Sequence, residues 1–295
     1  MGEAAALIAA FMWSATSVVM ARLSRTVSPV AMSAWRLTVA SVVLPLVLLI
    51  SGQAHQLGEA PASAIIAMVG SGLLAYALGD TLYIATLGRL GVQRAFTLTM
   101  ALFIMLTVAG GIVLLDEPFA AMQGVGAVLV AAGIYCIVRS ESHEDPAQRV
   151  ALDRMGYVLV VLVGIFWSAA TLWLADGRAN LGAIPASAIR TPAGMIGMVG
   201  FGLAFSRTRS ELASPLRNRK EIATIAAIGI FSTLFGSLLY VYAVGEAGAA
   251  RTTILNATSP LLALPLAIFF LKERFTALMG LGTAICVVGI ILVVS

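Results

Sequence analysis

Apolar positions along this chain do not alternate with polar ones; they gather into long runs separated by short polar joints. The runs cover 4–21, 29–51, 63–87, 93–115, 119–138, 155–175, 184–205, 222–244, 252–271 and 275–294. Each holds about 20 residues, enough for a helix to cross a hydrocarbon core of about 30 Å. Pro45, Pro192, Pro260 and Pro265 fall inside runs. In lipid such prolines are tolerated, because neighbouring helices and Ser or Thr side chains re-satisfy the freed carbonyls. The pattern predicts an all-α integral membrane protein with ten transmembrane helices. The first run lacks a basic leader and is followed by more membrane, so it reads as a retained helix rather than a cleaved signal peptide.

The runs also repeat. Trp13-Ser14 returns as Trp167-Ser168 and Arg36 as Arg190, each 154 positions on. "GDTLYIATLGRLGVQR" (79–94) returns as "GSLLYVYAVGEAGAAR" (236–251), pairing Tyr83 with Tyr240 and Arg94 with Arg251. "DEPFAAMQGVGAVLVAAGI" returns as "KERFTALMGLGTAICVVGI", pairing Glu117 with Glu273 and Gly126 with Gly282. Each half holds five helices, and an odd number turns the second half over. The prediction is therefore two inverted five-helix repeats, 1–139 and 155–295, joined by a charged linker at 140–154. Inverted repeats place a binding site near the bilayer midplane, where the halves meet.

Composition agrees: 60% of the residues are hydrophobic and 11% charged, against roughly 25% charged in soluble domains. The net charge of +4 matters less than its distribution. Fourteen of the 18 basic residues fall in the odd-to-even joints, two (Arg178 and Arg251) in the even-to-odd joints, and two within helices. By the positive-inside rule the odd-to-even joints are cytoplasmic and both termini face the other compartment. The basic balance needs no nucleic-acid partner. Cys136 and Cys286 lie inside predicted helices and read as small packing residues. No cofactor or metal is called for.

Trp-Ser in helices 1 and 6, Arg inside helices 2 and 7, and a Glu and Phe approach to the glycine-bearing helices 5 and 10 resemble the EamA-type members of the drug/metabolite transporter superfamily. The resemblance covers nearly the whole chain. It implies a ten-helix fold in a bacterial inner membrane that exports small metabolites, often amino acids, through a central cavity; aromatic amino acid exporters are similar. One departure is Phe103, which stands where the second repeat has Pro260.

Ionisable groups inside a membrane are costly, so each is a candidate for function. Arg36 lies about 10 Å into helix 2 at 1.5 Å per residue, and Asp80 lies at a matching depth in helix 3, so the two are expected to pair. Ser237 occupies the position equivalent to Asp80, which leaves Arg190 without that partner. A guanidinium facing a cavity can receive a substrate carboxylate bidentately; the alternative is that both arginines brace helix ends. Trp13 and Trp167 sit near the bilayer centre rather than in an interfacial belt. With Ser14, Ser168, Tyr76, Tyr83, Tyr240 and Asn256 they suit a small amphipathic ligand; packing between helices is the other reading.

Glu117 and Glu273 precede helices 5 and 10 and are expected to cap them, with Pro118 in the first turn. Glycines seven residues apart on those helices (Gly126 and Gly133, Gly282 and Gly289) predict close helix contact, as the back of the bundle or a dimer seam; the chain is expected to be a monomer or a weak dimer. His55 and His143 fall in joints, so a catalytic base within the bilayer is lacking, and a single Asp80 makes no charge ring for a channel. The remaining reading is a secondary transporter working by alternating access, with an intramembrane enzyme or a channel-like facilitator as alternatives. Because Asp80 is the only deep acid, and one paired with an arginine is a poor proton carrier, substrate-driven efflux is expected over proton coupling.

Overall fold

A computed structural model describes residues 1–23, 26–90, 92–118, 120–141, 154–178, 181–204, 206–259 and 277–294. Among them every regular element is helical. The long helices are α1 (Gly2–Leu23), α2 (Pro29–Ile50), α3, α4 (Val92–Leu114), α5 (Ala121–Glu141), α6 (Arg154–Gly177), α7 (Ala183–Ala204), α8, α9 (Ala249–Asn256) and α10 (Ala277–Val294). Helix α3 runs through Ala62–Gly72, Leu73–Asp80 and Thr81–Leu90, and α8 through Arg219–Ile228, Gly229–Gly236 and Ser237–Ala247. Four stretches are long and apolar enough to span a bilayer: Pro29–Ile50, Ala62–Thr86, Arg154–Gly177 and Arg219–Ala247. Pro260, Pro265, Glu273 and nearly all of the expected linker lie outside the described residues.

Lipid offers no hydrogen bonds, so each helix must satisfy its own backbone. At the ends, side chains help. Ser28 accepts the Ala31 N–H at 3.3 Å ahead of Pro29, and Asn218 accepts the Lys220 N–H at 3.1 Å. The burial pattern is inside-out relative to a soluble protein. Val42, Leu46, Leu49, Val128 and Ile196 are exposed, whereas Ala6, Ala9, Ala31, Ala40, Ala170 and Ala243 are fully buried. Without a hydrophobic drive between helices, small residues that let backbones approach supply the contact.

Helices α5 and α10 pack backbone to backbone. A Cβ on Gly126 would lie 2.7 Å from the Gly289 carbonyl, and one on Gly289 would lie 2.8 Å from that of Gly126. The expected glycine contact thus forms within the chain, between the last helices of the two repeats. The other helices cross over: α3 packs on α6 and α7, α8 on α1 and α2, α4 on α6, and α9 on α1. Each repeat therefore completes the other's core.

One end of the bundle gathers the start of α1, the end of α8 and the start of α9: Gly2 packs on Glu246 and Ala247, and Glu3 pairs with Arg251 at 3.1 Å. The other end brings Gly156, opening α6, against Leu90, closing α3. So α1 and α6 enter from opposite ends, as an inverted pair must.

Candidate functional site

Arg36 and Arg190 each sit seven residues into their helices, α2 and α7, about 10 Å deep from opposite ends at 1.5 Å per residue. Their environments differ. Arg36 Nη2 donates to Asp80 Oδ2 at 3.0 Å, and its Nη1 lies 3.3 Å from Met20 Sδ. The pair is deep yet not sealed, since the Asp80 side chain keeps 24% of its surface accessible. Trp167 contacts the same carboxylate. Tyr83 and Phe103 pack on the Trp167 ring at 5.0 and 5.9 Å between centroids, which surrounds the acid with aromatic faces.

Arg190 has neutral partners instead. Its Nε donates to Ser71 Oγ at 2.8 Å and its Nη1 to Tyr76 OH at 2.7 Å, with the guanidinium carbon 4.7 Å from the Tyr76 ring centroid. Ser71 passes its own hydrogen to the Ala170 carbonyl at 2.7 Å. Among the described residues no acid lies within 4.0 Å of Arg190, which is fully buried. The expectation that Arg190 lacks the Arg36 type of partner holds in charge. Yet it is tethered by two side chains from the opposite repeat, and the sequence reading named only Tyr76, without linking it to Arg190.

Both sides of this centre are shaped by a π-helical turn, at Leu73–Asp80 in α3 and Gly229–Gly236 in α8, at equivalent places in the repeats. A π turn widens the helix and is frequent at functional sites. Here it presents glycine to tryptophan. A Cβ on Gly79 would fall 2.5 Å from Trp167, and one on Gly236 2.9 Å from Trp13. Trp13 Nε1 also donates to the Ser232 carbonyl inside the turn, at 3.1 Å. The tryptophans thus form matching pairs, Trp13 with Tyr240 at 5.3 Å and 44°, Trp167 with Tyr83 at 5.0 Å and 46°.

The remaining expected residues take structural partners. Ser14 Oγ lies within bonding distance of the Ala10 and Ser259 carbonyls, and Ser168 Oγ of Thr107 Oγ1 and the Phe103 carbonyl. Both serines join the first helix of a repeat to chain from the other repeat. Tyr240 OH shares a hydrogen bond of 2.8 Å with Thr171. The Asn256 side-chain nitrogen is buried with no hydrogen-bond partner among the described residues. Sequence reasoning did not place Ser71, Phe103 or Thr171 at the site, although Phe103 stands out as a departure between the repeats and Ser71 as an isolated polar residue in an apolar run.

Glu117 is a correction. Helix α5 starts at Ala121, so Pro118 is not in its first turn, and Gln123 Oε1 accepts the Ala120 N–H at 3.2 Å there. Glu117 instead accepts the Ala249 and Ala250 N–H groups at 2.6 and 3.0 Å, capping α9 of the other repeat.

The model of the EamA-like transporter family matches residues 1–139 and again 154–295. The chain belongs to the EamA-like transporter family. It is accordingly an integral membrane transporter built from two copies of one repeat. No curated protein matches it. One solved crystal structure aligns with 99% of this chain and 95% of its own length at a TM-score of 0.77 and 17% identity. That likeness is of fold.

Proposed function

We propose that this EamA-like protein is a secondary transporter that exports small carboxylate-bearing metabolites, amino acids and aromatic ones among them, by alternating access at a central site. It would sit in a bacterial inner membrane with both termini on the non-cytoplasmic side, as a monomer or weak dimer. The observation that carries this is the unequal fate of two equivalent arginines. Arg36 is neutralised by Asp80, and Arg190 is held only by the Ser71 and Tyr76 hydroxyls. A buried charge without a counter-ion is costly, and a substrate carboxylate would supply one. The flanking indoles and phenols offer flat apolar faces to the rest of the molecule.

Binding of candidate amino acids to purified protein, read as thermal shift, tests the assignment. Arg190→Ala should weaken binding by about tenfold or more, the worth of a charge-assisted hydrogen bond, and Arg190→Lys should lose part of it. Unchanged affinity in both variants rules out Arg190 as the carboxylate receptor. Because Asp80 is tied to Arg36, flux is assigned to the substrate gradient: vesicles without a pH gradient should transport, and strict dependence on that gradient would reverse the assignment.

A further inference from the structure

At the end of the bundle that carries the N-terminus, Arg178 stands between two hollows. One, of about 610 Å³, lies among the ends of α4, α6 and α8 and is bordered by Asp116, Glu117, Asp176 and Glu246. The other, of about 550 Å³, is a groove on the flank of α7 and α8 with no acid in its lining. Its polar head is Arg178 and Gln53; Ile184, Phe235, Leu238 and Leu239 form its apolar wall. Phe235 precedes Ala247, the last residue of α8, by twelve positions, about 18 Å at 1.5 Å per residue. The groove therefore leads from the bilayer surface into the hydrocarbon.

Arg178 is out of place on charge grounds, since among the described residues this end holds two basic residues. The other, Arg251, is paired with Glu3 at 3.1 Å. Arg178 has no acid within 4.0 Å among the described residues. Its Nη1 donates to the Val241 and Tyr242 carbonyls at 2.6 and 2.9 Å. Its Nε is buried without a hydrogen-bond partner among the described residues. Burial draws its pKa below the ordinary value, with nearby Glu246 acting the other way, so the guanidinium is short of negative charge.

Nη1 is thus spent on carbonyls, and the guanidinium that heads the groove has no acid to answer its charge. A guanidinium binds phosphate through charge-assisted hydrogen bonds. The four acids disfavour an anion on the aqueous side, whereas the acid-free groove accepts one. We propose that the groove binds one anionic phospholipid, its phosphate on the Arg178 guanidinium and an acyl chain along Ile184, Phe235, Leu238 and Leu239.

Native mass spectrometry of the purified full chain offered phosphatidylglycerol and phosphatidylcholine of identical chains tests this. Wild type should retain one phosphatidylglycerol with a preference of about tenfold or more, and Arg178→Gln should bring the ratio near one. Equal retention by wild type, or an undiminished preference in Arg178→Gln, overturns the site. If Arg178→Gln does not fold, Ile184→Trp, which fills the groove at a lipid-facing position, should abolish retention. Retention unchanged in Ile184→Trp overturns the proposal. Inorganic phosphate should not displace the lipid; displacement would show a free-anion site instead.

Discussion

Glu117 of the first repeat closes off the helix that starts at Ala249 in the second, its Oε1 accepting the Ala249 N–H at 2.6 Å and its Oε2 the Ala250 N–H at 3.0 Å. The first N–H groups of a helix have no partner within it and carry the positive end of its dipole. Ala249 and Ala250 are buried, so these groups need one. Gly248, at φ +82°, delivers them: a Cβ there would lie 2.9 Å from Glu117 Oε1, so the turn into α9 has room only for glycine.

Removing this cap should cost about 1–2 kcal/mol. Glu117→Ala should lower the melting temperature by a few degrees, and Glu117→Gln, which keeps one acceptor, by less. Tryptophan fluorescence during heating in micelles reads it out. An unchanged midpoint in Glu117→Ala would mean that water replaces the carboxylate without loss.

The Arg36–Asp80 pair makes a stronger demand. Removing one partner of a buried pair costs about 3–5 kcal/mol, and the low end applies here because Asp80 keeps 24% of its side-chain surface accessible. Asp80→Asn should therefore destabilise more than Glu117→Ala, and the double variant Arg36→Met/Asp80→Asn should recover part of the loss, because no charge is then stranded. A double-mutant cycle with no coupling would show that the two side chains act independently.

The pair was legible in the sequence because depth in a membrane helix is a matter of counting residues: Arg36 and Asp80 lie equally far from one face. The glycine contact of α5 and α10 was legible for the same reason, since a spacing of seven keeps Gly126 and Gly133 on one face. Partners across the repeats were not. Glu117 precedes α5 in sequence, and nothing in its spacing says that Ala249 arrives beside it. Ser14 and Ser168 look like ligand contacts when read along one helix; the carbonyls they meet belong to chain from the opposite repeat. The π turns of α3 and α8 also left no periodicity to read, because both runs are apolar on every side.

Those turns allow a sharper test of packing. A Cβ on Gly72 would lie 2.1 Å from the Arg190 carbonyl oxygen, a backbone atom that cannot rotate away, whereas a Cβ on Gly200 meets nothing within 4 Å. Gly72→Ala should destabilise by about 1–3 kcal/mol or more, as overpacking does. Gly200→Ala, in mid-helix, should be neutral or stabilise by about 0.5–1 kcal/mol. Thermal scans of both proteins decide it, and equal midpoints would contradict the tight crossing of α3 and α7.

The last prediction turns the asymmetry of the repeats into an experiment. Ser237 stands where the first repeat has Asp80, and Arg190 stands where it has Arg36. By the correspondence of the repeats, Ser237→Asp is expected to bring a carboxylate toward Arg190 and recreate in the second repeat the pairing that silences Arg36. The variant should fold, because the new acid meets a buried cation that is otherwise held only by Ser71 and Tyr76. It should bind carboxylate substrates about tenfold or more weakly, since the arginine's charge is already answered. Ser237→Asn, with the same shape and no charge, should bind close to wild type. Equal loss in both variants would assign the effect to bulk at position 237, and no loss in either would remove Arg190 from the binding site.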